Sequence, residues 1–586
     1  MSQPPSGPEI ADAGIPLAES PEAADAPGEG TASGRGIRAQ DLLAVAGLVV
    51  GAGLIEFYLR HLLTRPFYSD EAWRAYDISL GTGFLKHLDT SGAPLALGWV
   101  GIENVARLVL GNTEAGLRAP MFLALPVLAV ATYLLARRWL GTGVSFCVAA
   151  LLLVNGWIVN NALQLKSYSY EGLVAVAAVA LYLRLQRVGR RPAPLLGLYG
   201  ALGLTCVFSL PNLFVVAPLL ALDLTRVIRD RDRAALRIAG EALAGAIALG
   251  HYVLFVRPQS GVVNTGFFGG DYAPHSLGPL LRFTAHGIGS YFPAMVTGDV
   301  GAENQTPSYV LPPVAHGLLA VTLALLLAAG IVAAARDAAG RALVVAVGGA
   351  LLLELIASTV RRWPFGMVRV SIFILPLLYV LGGIGAMWLA SALRGRRHAG
   401  RGQPLAWERA MCLVIAAAVL AAAGAATGVA SAKALAESSM LQTRPTIFDG
   451  LRNAVAEARR LAVPGDLVII RADRSPPIWY AGGWLYYMLS YQGWPAADAA
   501  RPRIPARNTI SVIHVTPGAV DRFLAAHPHS PAVFLLEYNV PGGAFPRPLH
   551  QESLRTLRQF GYCPTREVRY PDTGRLTVLR SGCSKT

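Results

Sequence analysis

The sequence predicts a polytopic α-helical membrane protein with a small α/β domain at its C-terminal end. Hydrophobic residues make up 53% of the chain and charged residues 15%, whereas a soluble protein carries roughly 25% charged residues. The apolar residues gather in runs close to the roughly 20 residues that a helix needs to cross a bilayer. From residue 440 onward this pattern gives way to alternating short helices and strands, which is typical of an α/β domain.

The first residues predict a disordered cytoplasmic tail. Residues 1–36 are rich in Pro, Ala, Gly and Glu and lack apolar periodicity, so they bury too little surface to offset the entropy cost of ordering. A basic start followed by an apolar stretch is missing, so the segment does not read as a cleavable signal peptide.

The apolar runs define a transmembrane domain, residues 37–432, for which we expect about 11 transmembrane helices. The predicted spans are 41–59, 118–136, 142–160, 171–187, 194–210, 213–228, 236–256, 314–335, 342–360, 368–393 and 410–430.

The positions of the basic residues predict the orientation of these spans. The net charge is +15, and most arginines stand in short loops between apolar runs, from Arg137 and Arg138 to Arg409. This is the positive-inside pattern of membrane proteins rather than a basic groove, so we expect a cytoplasmic N-terminus and no nucleic-acid partner. The outer side then receives the loops 60–117, 161–170, 257–313 and 361–367 together with the C-terminal domain.

Residues 94–110 are apolar enough to be mistaken for a further span. One face carries Leu95, Trp99, Ile102, Ala106 and Val109, which recur at helical spacing. Another face carries Glu103, Asn104 and Arg107. We therefore expect an amphipathic helix at the membrane surface, within a long first outer loop that covers residues 60–117.

The C-terminal residues 433–586 predict an extracytoplasmic α/β domain. Helices are expected at 448–462, 479–491, 517–526 and 551–560, and strands at 467–470, 510–515 and 532–536. The chain ends in a predicted β-hairpin whose turn lies at residues 571–574. Cys563 and Cys583 are equally far from residue 573, so antiparallel pairing predicts a disulfide between them, with two unpaired thiols as the alternative.

Two adjacent carboxylates, Asp70 and Glu71, open the first outer loop. One interpretation is structural, because acidic residues in the first turn of a helix stabilise it against the helix dipole. The other is catalytic: a carboxylate beside Tyr68, Trp73 and Tyr76 has the surroundings of a general base that faces a sugar. In that case Arg74, one turn further on, would hold Asp70 ionised.

Cations on the predicted outer face are candidates for binding phosphate, because they depart from the positive-inside bias. They are Lys86, Arg107, Arg118, Lys166, Arg257, Arg282, Arg361, Arg362 and Arg369. The alternative for each of them is a side chain that reaches from the bilayer to the interface.

Two further outer segments are candidate parts of a site. Residues 160–171 hold a dense polar run that includes Lys166, Tyr170 and Glu171, which is typical of an aqueous cavity or of a solvated loop. In residues 361–369, Trp363 and Phe365 stand between arginines. This pattern is typical of a site for a phosphorylated lipid or a sugar ring, or of aromatic residues at the membrane interface. No Walker loop, HExxH or CxxC motif is present, so the sequence predicts no nucleotide site and firmly implies no cofactor.

Taken together, these motifs resemble the GT-C membrane glycosyltransferases, with glycosyltransferase family 39 as the most similar branch. The similarity extends to its bacterial relatives, the protein O-mannosyltransferases and the lipid A aminoarabinose transferase, and covers roughly residues 40–395. The motifs that carry it are Ser69-Asp70-Glu71-Ala72, Leu110-Gly111 to Leu117-Arg118-Ala119-Pro120, Lys166-Ser167-Tyr168-Ser169-Tyr170-Glu171 and Trp363 to Arg369.

The resemblance implies sugar transfer from a polyprenyl-phosphate-linked donor, with inversion and with an outer-loop Asp as the base. Asp70 matches the first acidic position and Glu71 the second, and Glu171 stands where some relatives have an Asp. The Lys-Pro-Pro motif of many relatives is missing, and Lys86 and Lys166 are both candidates for the phosphate-binding lysine that the resemblance implies. The acceptor would be a glycan, lipid or protein outside the cytoplasmic membrane of a bacterial cell. A divalent metal is compatible with this chemistry and is not required by it.

Two other functions remain open at this stage. A transporter or flippase for a lipid-linked glycan is the first, although the internal repeats common in transporters are not visible. Glu354 is the clearest charge within a span, and pairing inside the helix bundle explains it more simply than a transport pathway. The second is polymer binding by the aromatic residues of the C-terminal domain, for which core packing is the alternative: Trp479, Tyr480, Trp484, Tyr486, Tyr487 and Tyr491.

Overall fold

A computed structural model describes most of the chain between residues 39 and 582. The described residues are 39–67, 69–88, 94–188, 192–230, 234–259, 272–296, 313–397, 447–473, 477–501, 503–512, 515, 517–539, 545–570 and 574–582. The expected disordered tail, residues 1–36, and the expected span 410–430 lie outside them.

The first part of the chain is built from helices, as its long apolar runs predict, because a helix satisfies its own backbone hydrogen bonds in an apolar environment. The helices are α1 (Ala39–Leu59), α2 (Ser69–Ser79), α3 (Leu97–Leu110), α4 (Glu114–Ala136), α5 (Thr142–Val154), α6 (Gly156–Ala162), α7 (Tyr168–Leu185), α8 (Pro192–Phe208), α9 (Asn212–Asp230), α10 (Ala234–His251), α11 (Leu277–Gly289), α12 (Tyr291–Val296), α13 (Pro313–Ala334), α14 (Ala338–Thr359) and α15 (Leu375–Arg397). Short 3-10 turns lie at Arg60–Thr64, Gly81–Lys86, Val368–Val370 and Ile372–Ile374.

Six described helical segments are long and apolar enough to cross a membrane. They are Ala39–Thr64, Glu114–Ala136, Tyr168–Leu185, Ala234–Gln259, Ala338–Thr359 and Ile372–Ala392. A seventh span is formed if α5 and α6, which meet at a bend of 59°, count as one. Each expected span before residue 398 coincides with helical structure, and the total of 11 stays a prediction.

Close helix crossings in this bundle depend on small residues, as is common between membrane helices. Gly330 of α13 and Gly385 of α15 face each other across such a crossing. A Cβ atom on Gly385 would overlap the carbonyl oxygen of Leu326, and one on Gly330 would overlap the carbonyl oxygen of Leu381. The two backbones therefore approach as closely as only glycine permits.

The helix α3 confirms the helix that was expected in the region 94–110. The residues that it buries differ in part from the expected ones. Trp99 and Ala106 are buried as expected, whereas Val109 is 74% exposed and Glu103 is fully buried beside them. Burial raises the pKa of the Glu103 carboxyl well above its ordinary value, which favours its neutral form. A neutral carboxyl costs far less to bury than a charged one, which explains how a polar residue occupies this face.

The C-terminal part is a five-stranded α/β domain, as expected. Its elements are α16 (Ile447–Leu461), β1 (Leu467–Asp473), α17 (Pro477–Leu485), α18 (Ala496–Ala499), β2 (Thr509–Val512), α19 (Pro517–Ala525), β3 (Ala532–Asn539), α20 (Arg547–Gln559), β4 (Tyr562–Tyr570) and β5 (Gly574–Ser581). The strand order is β2-β1-β3-β5-β4. The first three strands are parallel, β5 pairs with β3 in the antiparallel direction, and β4 pairs with β5 as the other strand of an antiparallel hairpin.

The terminal hairpin is confirmed, with a different register from the one expected. Arg580 lies opposite Cys563, because the turn is centred nearer residue 572 and a β-bulge shifts the pairing between Pro564 and Arg566. Cys563 is disulfide-bonded. Cys583 lies outside the described residues, so the pairing of these two cysteines stays a prediction.

The two faces of the sheet belong to different hydrophobic cores. Because side chains alternate along a strand, Leu467 and Ile469 of β1 point to a core within the domain, and Val468 and Ile470 point to the other side. This second core continues beyond the domain into α2, where it includes Ala72 and Trp73. The C-terminal domain is thus packed directly on the helix α2 of the loop 60–117.

Candidate active site

The helix α2 carries Asp70 and Glu71 in its first turn, where negative charge stabilises a helix end. It ends at Ser79, two residues before Gly81, whose φ of 58° is a conformation that glycine adopts without strain. The two adjacent carboxylates point to different surroundings, since successive residues of a helix are about 100° apart.

Glu71 is held in a buried, bidentate ion pair with Arg118 at the start of α4. Arg118 Nε and Nη2 donate to the two carboxylate oxygens at 2.9 Å each, and the backbone N–H of Leu165 donates to Oε1 at 2.8 Å. Burial raises the pKa of Glu71, but Arg118 outweighs it, and with Arg65 it leaves this pKa below its ordinary value. Both oxygens of Glu71 therefore accept hydrogen bonds from the protein, which favours the structural interpretation of Glu71 over the catalytic one.

Arg118 also fixes the chain that leads into α2. Its Nη1 donates to the carbonyl oxygens of Leu63 and Arg65, and its Nη2 donates to the carbonyl oxygen of Pro66 at 3.3 Å. The guanidinium lies 4.6 Å from the centre of the Phe67 ring. A planar guanidinium has five N–H donors, so one side chain ties Glu71 and the approach to α2 to the membrane helix α4.

Asp70 forms an ion pair with Lys166, which the sequence offered as one of two phosphate-binding lysines. Lys166 Nζ lies 3.2 Å from Asp70 Oδ2, and the exposed fractions of the two side chains are 2% and 13%. Asp70 is thus a partly accessible carboxylate beside a buried ammonium group, which favours its ionised form.

A broken helix brings Lys166 to this position. Helices α5 and α6 meet at Asn155 with a bend of 59°. The Asn155 side chain accepts a hydrogen bond from the N–H of Ile158 at 3.1 Å, and so caps α6. Its Nδ2 donates to the carbonyl oxygen of Ala294 at 2.7 Å and to the hydroxyl of Tyr379 at 3.1 Å. The break is therefore anchored in the bundle, and the chain after α6 turns past α2 before α7 begins.

Glu171 lies in the same region, in the first turn of α7. The hydroxyl of Ser167 donates to its Oε1 at 2.7 Å. The positive charge that attracts Glu171 is Arg74 of α2. Arg74 therefore acts electrostatically on Glu171, and the described ion pair of Asp70 is with Lys166. The expected effect of Arg74 on Asp70 stays a prediction.

Arg369 completes the cationic side of the site. It lies in the 3-10 turn Val368–Val370, is 8% exposed, and its guanidinium is 6.0 Å from the centre of the Tyr168 ring. Tyr170, in the first turn of α7, is partly buried and packs against the core that contains Ala72 and Trp73. The segment from Lys166 to Glu171 is thus where α2, α7 and the 361–369 region converge.

Other expected site residues do not join this group. Lys86 is exposed on the 3-10 turn Gly81–Lys86 and makes no ion pair with a described residue. Arg361 is exposed just beyond the end of α14, with a positive φ of 56°. Tyr68 lies outside the described residues. Within the part of the chain that the structure describes, no group of three or more His, Cys, Asp or Glu side chains is arranged to hold a metal ion.

No protein-family model and no curated protein sequence matches the chain. Among solved structures, ArnT from Cupriavidus metallidurans bound to undecaprenyl phosphate superimposes with a TM-score of 0.50 at 13% identity, over 93% of this chain and 98% of that one. The archaeal oligosaccharyltransferase AglB from Archaeoglobus fulgidus gives a TM-score of 0.46 at 12% identity, over 84% of this chain and 69% of that one.

The chain has the GT-C fold. The similarity to ArnT covers both parts of the molecule, so the GT-C fold here includes the helical bundle and the packed C-terminal domain. An identity of 13% carries no residue-level correspondence, and the roles of individual side chains follow from the contacts described above.

Sequence reasoning missed several residues that shape the site. Arg118 was a candidate for binding phosphate. Its guanidinium instead donates hydrogen bonds to the carboxylate of Glu71 and to backbone carbonyl oxygens. Tyr487 of the C-terminal domain accepts a hydrogen bond from the N–H of Phe67, and the aromatic cluster around it had suggested polymer binding. Trp484, Tyr486, Tyr487 and Tyr491 are buried, so the expected aromatic binding surface is wrong for these four.

The expectation that Glu354 is paired within the helix bundle is confirmed. Glu354 of α14 is fully buried and paired within the bundle. The hydroxyl of Ser371 donates to its Oε1 at 2.8 Å, and the hydroxyl of Tyr291 donates to its Oε2 at 3.2 Å.

Proposed function

We propose that the protein is a membrane glycosyltransferase that uses a polyprenyl-phosphate-linked sugar as donor, with Asp70 as the general base. The observation that carries this proposal is the partly accessible Asp70 carboxylate, 3.2 Å from the buried ammonium group of Lys166. The GT-C fold supports it, since the ArnT structure of the same fold contains undecaprenyl phosphate.

In the proposed reaction Asp70 takes the proton from a hydroxyl group of the acceptor. The hydroxyl oxygen attacks the anomeric carbon, and the bond between that carbon and the phosphate oxygen breaks, so that the phosphate leaves with the bonding electrons. Attack on the face opposite the leaving group inverts the configuration. A positioned base contributes typically 10²- to 10⁴-fold to such a step.

The cations near Asp70 have two tasks in this scheme. Lys166 keeps Asp70 ionised before the acceptor binds. With Arg74 and Arg369 it also supplies positive charge for the phosphate, whose negative charge grows as the bond to the sugar breaks. Glu171, beside Arg74, orients that guanidinium rather than acting on the substrate.

The topology that goes with this function has the site and the C-terminal domain outside the cytoplasmic membrane and the N-terminus inside. The positive-inside distribution of arginines supports this orientation. The acceptor is then a glycan, lipid or protein of the cell envelope.

Transfer by purified protein in detergent tests the proposal. The protein is incubated with polyprenyl-phosphate-linked sugars and candidate acceptors, and the products and copurifying lipids are identified by mass spectrometry. We expect Asp70→Asn to lower turnover by roughly 10²- to 10⁴-fold while undecaprenyl phosphate still binds. Asp521→Asn, on the exposed side of α19, is the matched control.

Two outcomes would contradict the proposal. A folded Asp70→Asn variant with a normal rate would remove the role of Asp70. If the wild-type protein forms no product, yet moves a lipid-linked glycan across proteoliposomes, the protein is a flippase. Detergent separates these functions, because transfer needs no membrane gradient.

A further inference from the structure

One stretch of the C-terminal domain, residues 482–492, contacts the middle of α2, the residue Phe67 that precedes this helix and the residue Asn112 that is bonded to its end. We call this stretch the cradle. It consists of the end of α17, the π-helical turn Tyr486–Ser490 and the two residues that follow.

At the start of α2, the cradle holds the peptide group between Pro66 and Phe67. The N–H of Phe67 donates to the hydroxyl of Tyr487 at 2.7 Å, while the carbonyl oxygen of Pro66 accepts from Arg118. The same Tyr487 hydroxyl donates to Glu114 at 3.3 Å. One peptide group, three residues before Asp70, is therefore fixed from both sides.

In the middle of α2, two glycines of the cradle allow the helices to touch. A Cβ atom on Gly482 would lie 2.7 Å from Trp73 Cβ and 3.1 Å from Trp73 Cα. A Cβ atom on Gly483 would lie 2.9 Å from Ala72 Cβ. At Gly482 the obstructing atoms are the Cβ and the backbone of Trp73, so they yield only if the whole helix moves. At Gly483 the side chain of Leu451 is a second obstructing group, 2.7 Å from the added Cβ.

At the end of α2, Asn112 links the helix to the cradle. Its Nδ2 donates to the hydroxyl of Ser79 and to the carbonyl oxygen of Ser490, both at 2.9 Å. Its backbone N–H donates to Gln492 Oε1 at 2.9 Å, and its carbonyl oxygen accepts from the N–H of Gln492 at 3.0 Å. These contacts fix the position of α2 along its axis.

We propose that the cradle positions Asp70 for catalysis, with Tyr487 and Gly482 as positioning residues. The inference rests on the proposed function of Asp70 and extends it, because it makes the C-terminal domain part of the catalytic apparatus rather than an acceptor-binding attachment. A displacement of 1 Å at a reacting group is enough to lower the rate roughly 100-fold. A tilt of α2 would move Asp70 and so lower the rate of transfer.

Two pairs of variants of the full-length protein test this. Gly482→Ala adds a Cβ atom against Trp73, and its control Gly518→Ala adds one where nothing lies within 4 Å, in α19 of the same domain. Tyr487→Phe removes the hydroxyl that binds Phe67, and its control Tyr570→Phe removes a hydroxyl that makes no hydrogen bond.

We expect Gly482→Ala and Tyr487→Phe to lower kcat by roughly 10- to 100-fold, well below their unfolding temperatures. KM for the donor and binding of undecaprenyl phosphate should change less than about twofold, since the lipid site is not displaced. A merely structural role of the cradle would lower the unfolding temperature and leave kcat of the folded protein unchanged. Normal kcat in both variants would overturn the inference.

Hydrogen exchange provides a readout that does not depend on transfer. We expect faster exchange of the backbone amides 69–79 in Gly482→Ala than in Gly518→Ala, because the added Cβ loosens α2 from the cradle. Equal exchange would overturn the inference even if the wild-type protein transfers sugar. If the wild-type protein forms no product while exchange responds as expected, the proposed function fails and the mechanical coupling of the cradle to α2 stands.

Discussion

Lys166 Nζ lies 3.2 Å from Asp70 Oδ2, which joins the segment before α7 to the first turn of α2. Lys86, the other lysine that the sequence offered, is exposed on the turn after α2. Only one of the two candidates is therefore next to the proposed base.

The first prediction concerns these two lysines. Lys166→Met should lower kcat by roughly 100-fold, because it removes the charge that faces the leaving phosphate. Lys86→Met should leave transfer within about twofold of the wild-type rate. Initial rates at saturating donor, measured on variants with normal unfolding temperatures, provide the test. Loss of transfer in Lys86→Met with normal transfer in Lys166→Met would reverse the assignment.

The second prediction concerns the stability contributed by Glu71. Glu71→Gln leaves the buried Arg118 without its counter-charge, and breaking such a pair costs about 3–5 kcal/mol. Arg118→Met removes both hydrogen bonds of the guanidinium to Glu71 and should also destabilise the protein, by less to the extent that Arg65 and the N–H of Leu165 still stabilise the carboxylate. Thermal unfolding in detergent at pH 7 measures both, and wild-type stability in either variant would contradict the assignment.

The same ion pair predicts a pH dependence. Because the folded pKa of Glu71 is lowered, its contribution is fully present above its unfolded pKa, about 4.3, and is lost as the pH falls through the folded value. The difference in unfolding temperature between wild type and Glu71→Gln should therefore be largest at pH 7 and shrink below about pH 4. A difference that stays constant down to pH 3 would contradict this reading.

The third prediction is a coupling between Arg74 and Glu171. Since burial disfavours the charged form of Glu171 and Arg74 favours it, Arg74→Met and Glu171→Gln should be non-additive in kcat/KM by about 0.5–3 kcal/mol. Arg74→Met combined with Glu103→Gln is the matched control, because burial alone governs Glu103, and these two changes should add. Additivity in the first cycle would show that Arg74 acts independently of Glu171.

The fourth prediction concerns the crossing of α13 and α15. Gly385→Ala should destabilise the protein by about 1–3 kcal/mol, because the added carbon overlaps a backbone carbonyl. Gly382→Ala, one turn earlier in α15, adds a carbon where nothing lies within 4 Å and should be neutral. Thermal unfolding of the two variants in the same detergent compares them directly. If the two variants are equally stable, α13 and α15 move apart at this crossing without loss of stability, which would contradict the prediction.

The broken helix at Asn155 shows what periodicity leaves undecided. An apolar run over 142–160 predicts one span, and two helices, α5 and α6, cover it with a bend between them. The helix bends at Asn155, whose side chain donates hydrogen bonds to the carbonyl oxygen of Ala294 and to the hydroxyl of Tyr379. Both partners are distant in the sequence. A local sequence pattern therefore predicts neither the bend nor the path that the chain takes from it to Lys166.

The sequence by itself determined the helical bundle, the α/β domain and the acidic start of the first outer loop. These follow from apolar runs, alternating patterns and charge placement, which are local properties of the chain. Only the tertiary structure decided that Lys166 is the partner of Asp70, that Arg118 occupies Glu71, and that residues 482–492 hold α2. Ion pairs and helix contacts depend on how each helix is rotated and where distant segments meet, and many rotations satisfy the same hydrophobic pattern.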